Sequence, residues 1–99
     1  MTATPKGAAE LEEFDAVFGA LAHRARRTIL SALQAHGGQM TSGAIAAWFS
    51  HSWPTTSQHL RVLQQAGLVN VELRGREHVY QLQADRLLRV TRSWLSQFG

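Results

Sequence analysis

The sequence predicts a mainly α-helical chain with one small β-hairpin, in the order helix, helix, helix, helix, strand, strand, helix. Apolar residues recur at helical spacing in five separate stretches. Between the fourth and fifth, two β-rich runs flank Arg74-Gly75-Arg76-Glu77. The chain has 99 residues and no cysteine, so it is one small domain built without disulfides or thiolate metal sites.

Residues 1–9, rich in small residues with Pro5 and Gly7, read as a disordered leader, and residues 10–99 as the folded domain. From Glu10 to Ala22 the stripe Leu11, Phe14, Val17, Phe18, Leu21 marks an amphipathic helix with acids in its first turn, where the helix dipole favours them. A second helix runs from Arg24 to Ala35 on Ile29, Leu30 and Leu33, and His36-Gly37-Gly38 ends it. Thr41 or Ser42 caps a short third helix with Ile45, Trp48 and Phe49 on its apolar side. The fourth helix begins near Pro54 with Ser52 or Trp53 as cap. It buries Leu60, Leu63 and Thr56, and stops at Gly67. Leu68–Arg74 alternates in strand period, His78–Leu82 is its partner, and a last helix spans Ala84–Phe98.

Charge is unevenly distributed. Residues 1–22 hold Lys6 against four carboxylates, while residues 23–99 hold nine arginines against three. An arginine-rich body suits a polyanionic partner, although solvated arginines explain the count equally well. No apolar run approaches the roughly 18 residues that span a bilayer, so no membrane role is expected. MTATPKGAAELEE lacks an export pattern, and a cytoplasmic location is expected.

Only a few residues around Ser50–Trp53 join the third and fourth helices, a connection that sets two helices at a steep angle. The fourth helix then offers Ser52, Thr55, Thr56, Ser57, Gln58, His59 and Arg61, hydrogen-bonding side chains suited to base edges and phosphates. Arg74 and Arg76 flank a glycine that lets the hairpin tip approach a duplex. This layout is a winged helix-turn-helix, and double-stranded DNA is the expected partner.

Phe18-Gly19-Ala20-Leu21-Ala22-His23-Arg24-Ala25-Arg26-Arg27-Thr28-Ile29-Leu30 resembles the opening motif of ArsR-type bacterial repressors. Pro54-Thr55-Thr56-Ser57-Gln58-His59-Leu60-Arg61-Val62-Leu63, continuing through Ala66-Gly67-Leu68-Val69, is similar to that family's recognition-helix signature. The likeness covers about residues 14–83. It implies a homodimeric, cytoplasmic transcriptional regulator that occupies promoter DNA. His23-Arg24 stands where the family has Asp-Pro, Thr56 replaces a usual Val, and Gln58 an arginine. Trp53 and Trp94 resemble a subgroup that works without metal.

Many relatives implied by this resemblance sense metals through Cys-x-Cys in the third helix or through Asp, His and Glu on the last. The first needs cysteine, and the last helix here offers only Asp85. No two of His23, His36, His51, His59 and His78 lie three or four apart on one helix, so neither a metal site nor a cofactor is expected. His59 is read as a DNA-facing donor, His36 as a helix end, and His23, His51 and His78 as surface residues. Ser57 and His59 point to different sides of a helix and cannot form a nucleophile–base pair, so no enzyme is expected.

The first and last helices carry Phe14, Phe18, Leu88, Trp94, Leu95 and Phe98, more apolar surface than a small winged core needs. These residues are assigned to a homodimer interface, where Arg86, Arg89 and Arg92 meet the acidic head. A two-fold dimer predicts a palindromic operator. The alternatives are a metal- or small-molecule-responsive repressor of the same fold, its effector unknown, and a winged-helix module for protein contacts.

Overall fold

The computed structural model describes residues 5–50 and 52–99. Its elements are α1 (Pro5–Leu21), α2 (Arg24–Ala35), β1 (Gln39–Thr41), α3 (Ser42–Ala46), α4 (Trp53–Gln65), β2 (Val69–Arg74), β3 (Glu77–Leu82), α5 (Ala84–Leu95) and a closing 3-10 turn (Ser96–Phe98). The order matches the expectation except for β1. The first helix starts at Pro5 rather than Glu10, so residues 5–9 are helical where a leader was expected. Residues 1–4 and His51 lie outside the described residues.

Helix α2 has the predicted ends. His23 takes the N-cap place in extended conformation, and its Nδ1 accepts from the Ala25 N–H at 3.2 Å. It thus supplies the cap acceptor where the family pattern would have Asp. At the other end Gly37 and Gly38 have φ of 79° and 95°, and the Gly38 N–H reaches back to the Leu33 carbonyl at 2.7 Å. Thr41 caps α3 through its hydroxyl, which accepts from the Ala44 N–H at 3.1 Å.

The sheet has three antiparallel strands in the order β1-β3-β2. In β3, Tyr80 stands opposite both Met40 and Val71. The wing is therefore tied to the chain that leads into α3. Met40, Val69 and Tyr80 of this sheet join one core with Val17, Ile29, Leu33, Ile45, Leu60, Leu63, Leu68 and Val90, drawn from every long helix. Among the described residues no helix is long and apolar enough to cross a membrane.

Arginines lock the frame. Arg26 donates through Nε to the Ala20 carbonyl at 2.8 Å and through a terminal nitrogen to the Gly19 carbonyl at 3.1 Å. Arg27 reaches the Leu21 carbonyl at 2.7 Å. These carbonyls belong to the last turn of α1, where Gly19 also accepts from the Ala22 N–H at 3.3 Å, and two side chains of α2 complete its closure. At the opposite end of the core, Arg86 Nε donates to the Ala66 carbonyl at 2.9 Å. A Cβ on Gly67, which has φ +75°, would lie 2.4 Å from that Nε.

Candidate nucleic-acid interface

Helix α4 divides into two sides. Thr56, His59, Leu60 and Leu63 form its buried row, at the i, i+3, i+4, i+7 spacing of one helix face. His59, expected at the DNA, and Thr56, expected both in the buried row and at the DNA, are therefore turned into the protein. Thr56 is fully buried and its hydroxyl donates to the Ser52 carbonyl at 3.5 Å. The His59 ring lies against His23, with centroids 4.4 Å apart. The reason is geometric: residue 59 lies three past Thr56 and four before Leu63, inside the row those two define.

The outer side of α4 carries the remaining candidates. Ser52, Thr55, Gln58 and Arg61 are exposed, and Ser57 is half-buried on the flank. The outer side chains are arranged as two i, i+3 pairs. The Ser52 and Thr55 hydroxyls lie 3.3 Å apart, and Arg61 donates to Gln58 Oε1 at 3.4 Å. Ser52 caps the helix by position, without a side-chain bond to its backbone. The pairs present hydroxyl, amide and guanidinium groups in succession, winding round the exposed part of α4.

The two wing arginines differ. Arg74 forms an ion pair with Glu72 and donates to Gln39 Oε1 at 3.3 Å, while Gln81 donates to the same Glu72 at 3.4 Å. A polar clasp thus crosses all three strands and partly neutralises Arg74. Arg76, past Gly75 at φ +62°, has no side-chain partner among the described residues. Arg76 is the freer cation for a phosphate. Leu73 stands beside them 64% exposed, a feature the strand alternation concealed.

Away from this side, the predicted dimer residues also split. Phe14 and Phe18 are half-buried within the chain, Phe14 against the core and Phe18 edge-on to Trp94 at 5.3 Å. Leu88, Leu95, Phe98 and Trp94 remain outward, joined by Leu11, which the sequence places in the apolar stripe of the first helix but not in the interface. The acidic head does meet the arginines of α5, but inside one chain. Arg89 donates to both Glu13 oxygens at 3.3 and 3.1 Å, and Arg86 lies 3.0 Å from the same carboxylate. The Arg89 hydrogen bonds, with Arg86 beside them, hold the Glu13 carboxyl below the usual carboxylate range. An open groove of about 520 Å³ lies between α2 and α5, lined by Leu30, Ser31, Gln34, Leu82, Leu87 and Leu88 among others. Among the described residues no three His, Asp or Glu side chains gather as a metal would require.

Comparison with known proteins agrees with this geometry. A family model described as a helix-turn-helix domain matches residues 21–72, just over half the chain. The transcriptional repressor SdpR of Bacillus subtilis (strain 168) is 37% identical over 82 residues, covering 83% of this chain and 88% of that protein. An ArsR-like transcriptional regulator from Rhodococcus sp. RHA1 superposes with a TM-score of 0.75 at 30% identity, covering 90% of this chain and 81% of that one. A homodimeric winged helix-turn-helix DNA-binding domain from Mycobacterium bovis superposes with a TM-score of 0.76 at 26% identity, over 96% of this chain and 87% of that one. With a family match of this extent and a relative of this identity, the chain belongs to the ArsR-type winged helix-turn-helix family of DNA-binding transcriptional regulators.

Proposed function

We propose that the protein is a cytoplasmic homodimeric repressor that covers a palindromic promoter site, binding DNA without catalysing a reaction. Ser52, Thr55, Gln58 and Arg61 meet base edges and nearby phosphates, with Ser57 at the margin and Arg76 anchoring the wing. Arg74 reaches phosphate only by leaving Glu72. The observation that carries the reading is the solvent-facing hydroxyl, amide and guanidinium row of α4 beside a glycine-tipped wing with a free arginine. Repression is favoured by the likeness to SdpR, itself a repressor.

The dimer rests on α1, α5 and the closing turn. Leu11, Leu88, Leu95 and Phe98 are 60%, 44%, 57% and 69% exposed, more apolar surface than one short helical layer ordinarily leaves in water. The Mycobacterium bovis relative is homodimeric. Two recognition helices of such a pair stand about 34 Å apart, one turn of the duplex.

Fluorescence anisotropy with the DNA upstream of the protein's own gene tests the reading. Affinity is expected to fall steeply with salt, since each phosphate contact releases counterions. No binding at low salt, or binding insensitive to salt, overturns it. A light-scattering mass of one chain overturns the dimer. A small-molecule-responsive version of this repressor is favoured by the α2–α5 groove. Its Ser31 and Gln34 side chains have no hydrogen-bond partner among the described residues. Retention of operator in the presence of cell extract at all concentrations would remove that version.

A further inference from the structure

Trp53 is the first residue of α4 and is 42% exposed. Trp joins a large apolar ring to one polar N–H, and such side chains are enriched where a protein meets a partner. Among the described residues Trp53 has neither a hydrogen-bond acceptor for Nε1 nor a ring partner. The other two indoles, 51% exposed at Trp48 and 36% at Trp94, each have a ring partner. Trp48 packs edge-on to His36 at 5.9 Å, and Trp94 lies between Phe18 and Phe98.

Its place on the helix is specific. Ser52 caps α4 and Pro54 follows, so Trp53 sits in the first turn, where helical side chains lean toward the N-terminus. It shares a flank with Ser57, one turn on, at the i, i+4 spacing. In a helix-turn-helix the N-terminal residues of the second helix come closest to the base edges. The major groove offers one apolar feature there, the 5-methyl group of thymine, and a phosphate acceptor beside it. The exposed indole can meet both, its ring covering the methyl and its Nε1–H exchanging water for a phosphate oxygen.

We infer that Trp53 is a specificity-determining residue, its ring covering a thymine methyl in each half-site and its Nε1–H donating to an adjacent phosphate. This rests on the reading of α4 as the DNA reader. The contact selects a base by shape rather than by hydrogen bonding. It therefore complements Gln58, which addresses the polar edge of a neighbouring pair.

The test uses the duplex recovered when the full-length protein selects from a random DNA pool. Thymines of each half-site are replaced one at a time by uracil, which removes only the methyl group. One position should weaken wild-type binding by roughly fourfold per half-site, the value of one buried methyl-sized group. In Trp53→Ala that position should become insensitive. Trp53→Phe should keep the methyl discrimination and lose the phosphate bond. As a second readout, the Trp48→Phe/Trp94→Phe protein leaves Trp53 as the sole indole, and its emission should change on binding the duplex.

Equal uracil sensitivity in wild type and Trp53→Ala overturns the inference, as does an emission that ignores DNA. An emission that follows dilution of the protein instead of DNA also overturns it, and assigns the indole to a second copy. These failures are separable from failure of the functional reading. In that case wild-type protein selects no duplex and shows no salt-dependent binding.

Discussion

On the α1–α5 side of the molecule four arginines are committed inside the chain, whereas on the α4–wing side Arg74 alone is held by an ion pair and Arg61 and Arg76 end in solvent or hold a light contact. Arg26 and Arg27 are occupied by the last carbonyls of α1, and Arg86 and Arg89 by Glu13, with Arg86 also on Ala66. Arg61 has one contact of 3.4 Å and Arg76 none among the described residues. The same side chain thus serves as a fastener in one region and as a charge offered outward in the other. Arginine's planar fork suits both uses, because it can bridge carbonyls within a fold as readily as phosphate oxygens. A count of basic residues therefore overstates the charge available to DNA.

That contrast can be broken most severely at Gly67. Gly67→Ala should cost about 2–3 kcal/mol, from a left-handed backbone position and from expelling Arg86 from its carbonyl. Urea denaturation reads it. On the outward side, Gln58→Ala should leave stability unchanged and reduce discrimination at one base pair by about 1–3 kcal/mol, read by competition between operator variants. Arg26→Ala should cost about 1–2 kcal/mol of stability through two lost bonds to carbonyls, with an unchanged salt slope for DNA binding.

Arg76→Ala should do the reverse. Its melting temperature stays put, affinity falls alike for all sequences, and the salt slope drops by about 1 per protomer. If Arg26→Ala altered the slope, or Arg76→Ala the melting temperature, the division between fastening and offered arginines would fail. The smallest effect belongs to Glu13. Its carboxyl titrates lower in the folded chain than when unfolded, so its contribution is fully present above the unfolded carboxylate's range. That contribution fades as pH falls through the lower, folded value. Glu13→Gln should flatten the stability profile across that acidic window by removing the small contribution present at neutral pH, with acid stability unchanged. Urea denaturation at several pH values reads it, and the step is small because exposed pairs contribute little.

Much of this architecture was legible in the residues themselves. Helix α2 has the ends its apolar stripe and Gly37-Gly38 require, and the Arg74–Glu77 hairpin lies where Gly75 puts it. Strand β1 was not legible, because Gln39-Met40-Thr41 is too short for a pattern and becomes a strand only by pairing with β3. Burial of Thr56 and His59 was within reach. The spacing groups Thr56 with Leu60 and Leu63, the ArsR-type pattern places Val there, and residue 59 lies between them on the helix. Polar identity masked the spacing. The roles of Arg26 and Arg86 had no local signal, since the carbonyls they meet belong to distant turns.

The close fit of Arg86 over Gly67 has a consequence for how such a sequence can drift. The two positions lie 19 residues apart in the chain yet occupy one volume. A side chain at 67 must push the Arg86 guanidinium aside and leave the Ala66 carbonyl to water, whereas shortening residue 86 frees the volume but not the left-handed backbone. Drift away from glycine at 67 therefore meets two separate barriers, one that a change at 86 removes and one that belongs to the turn itself.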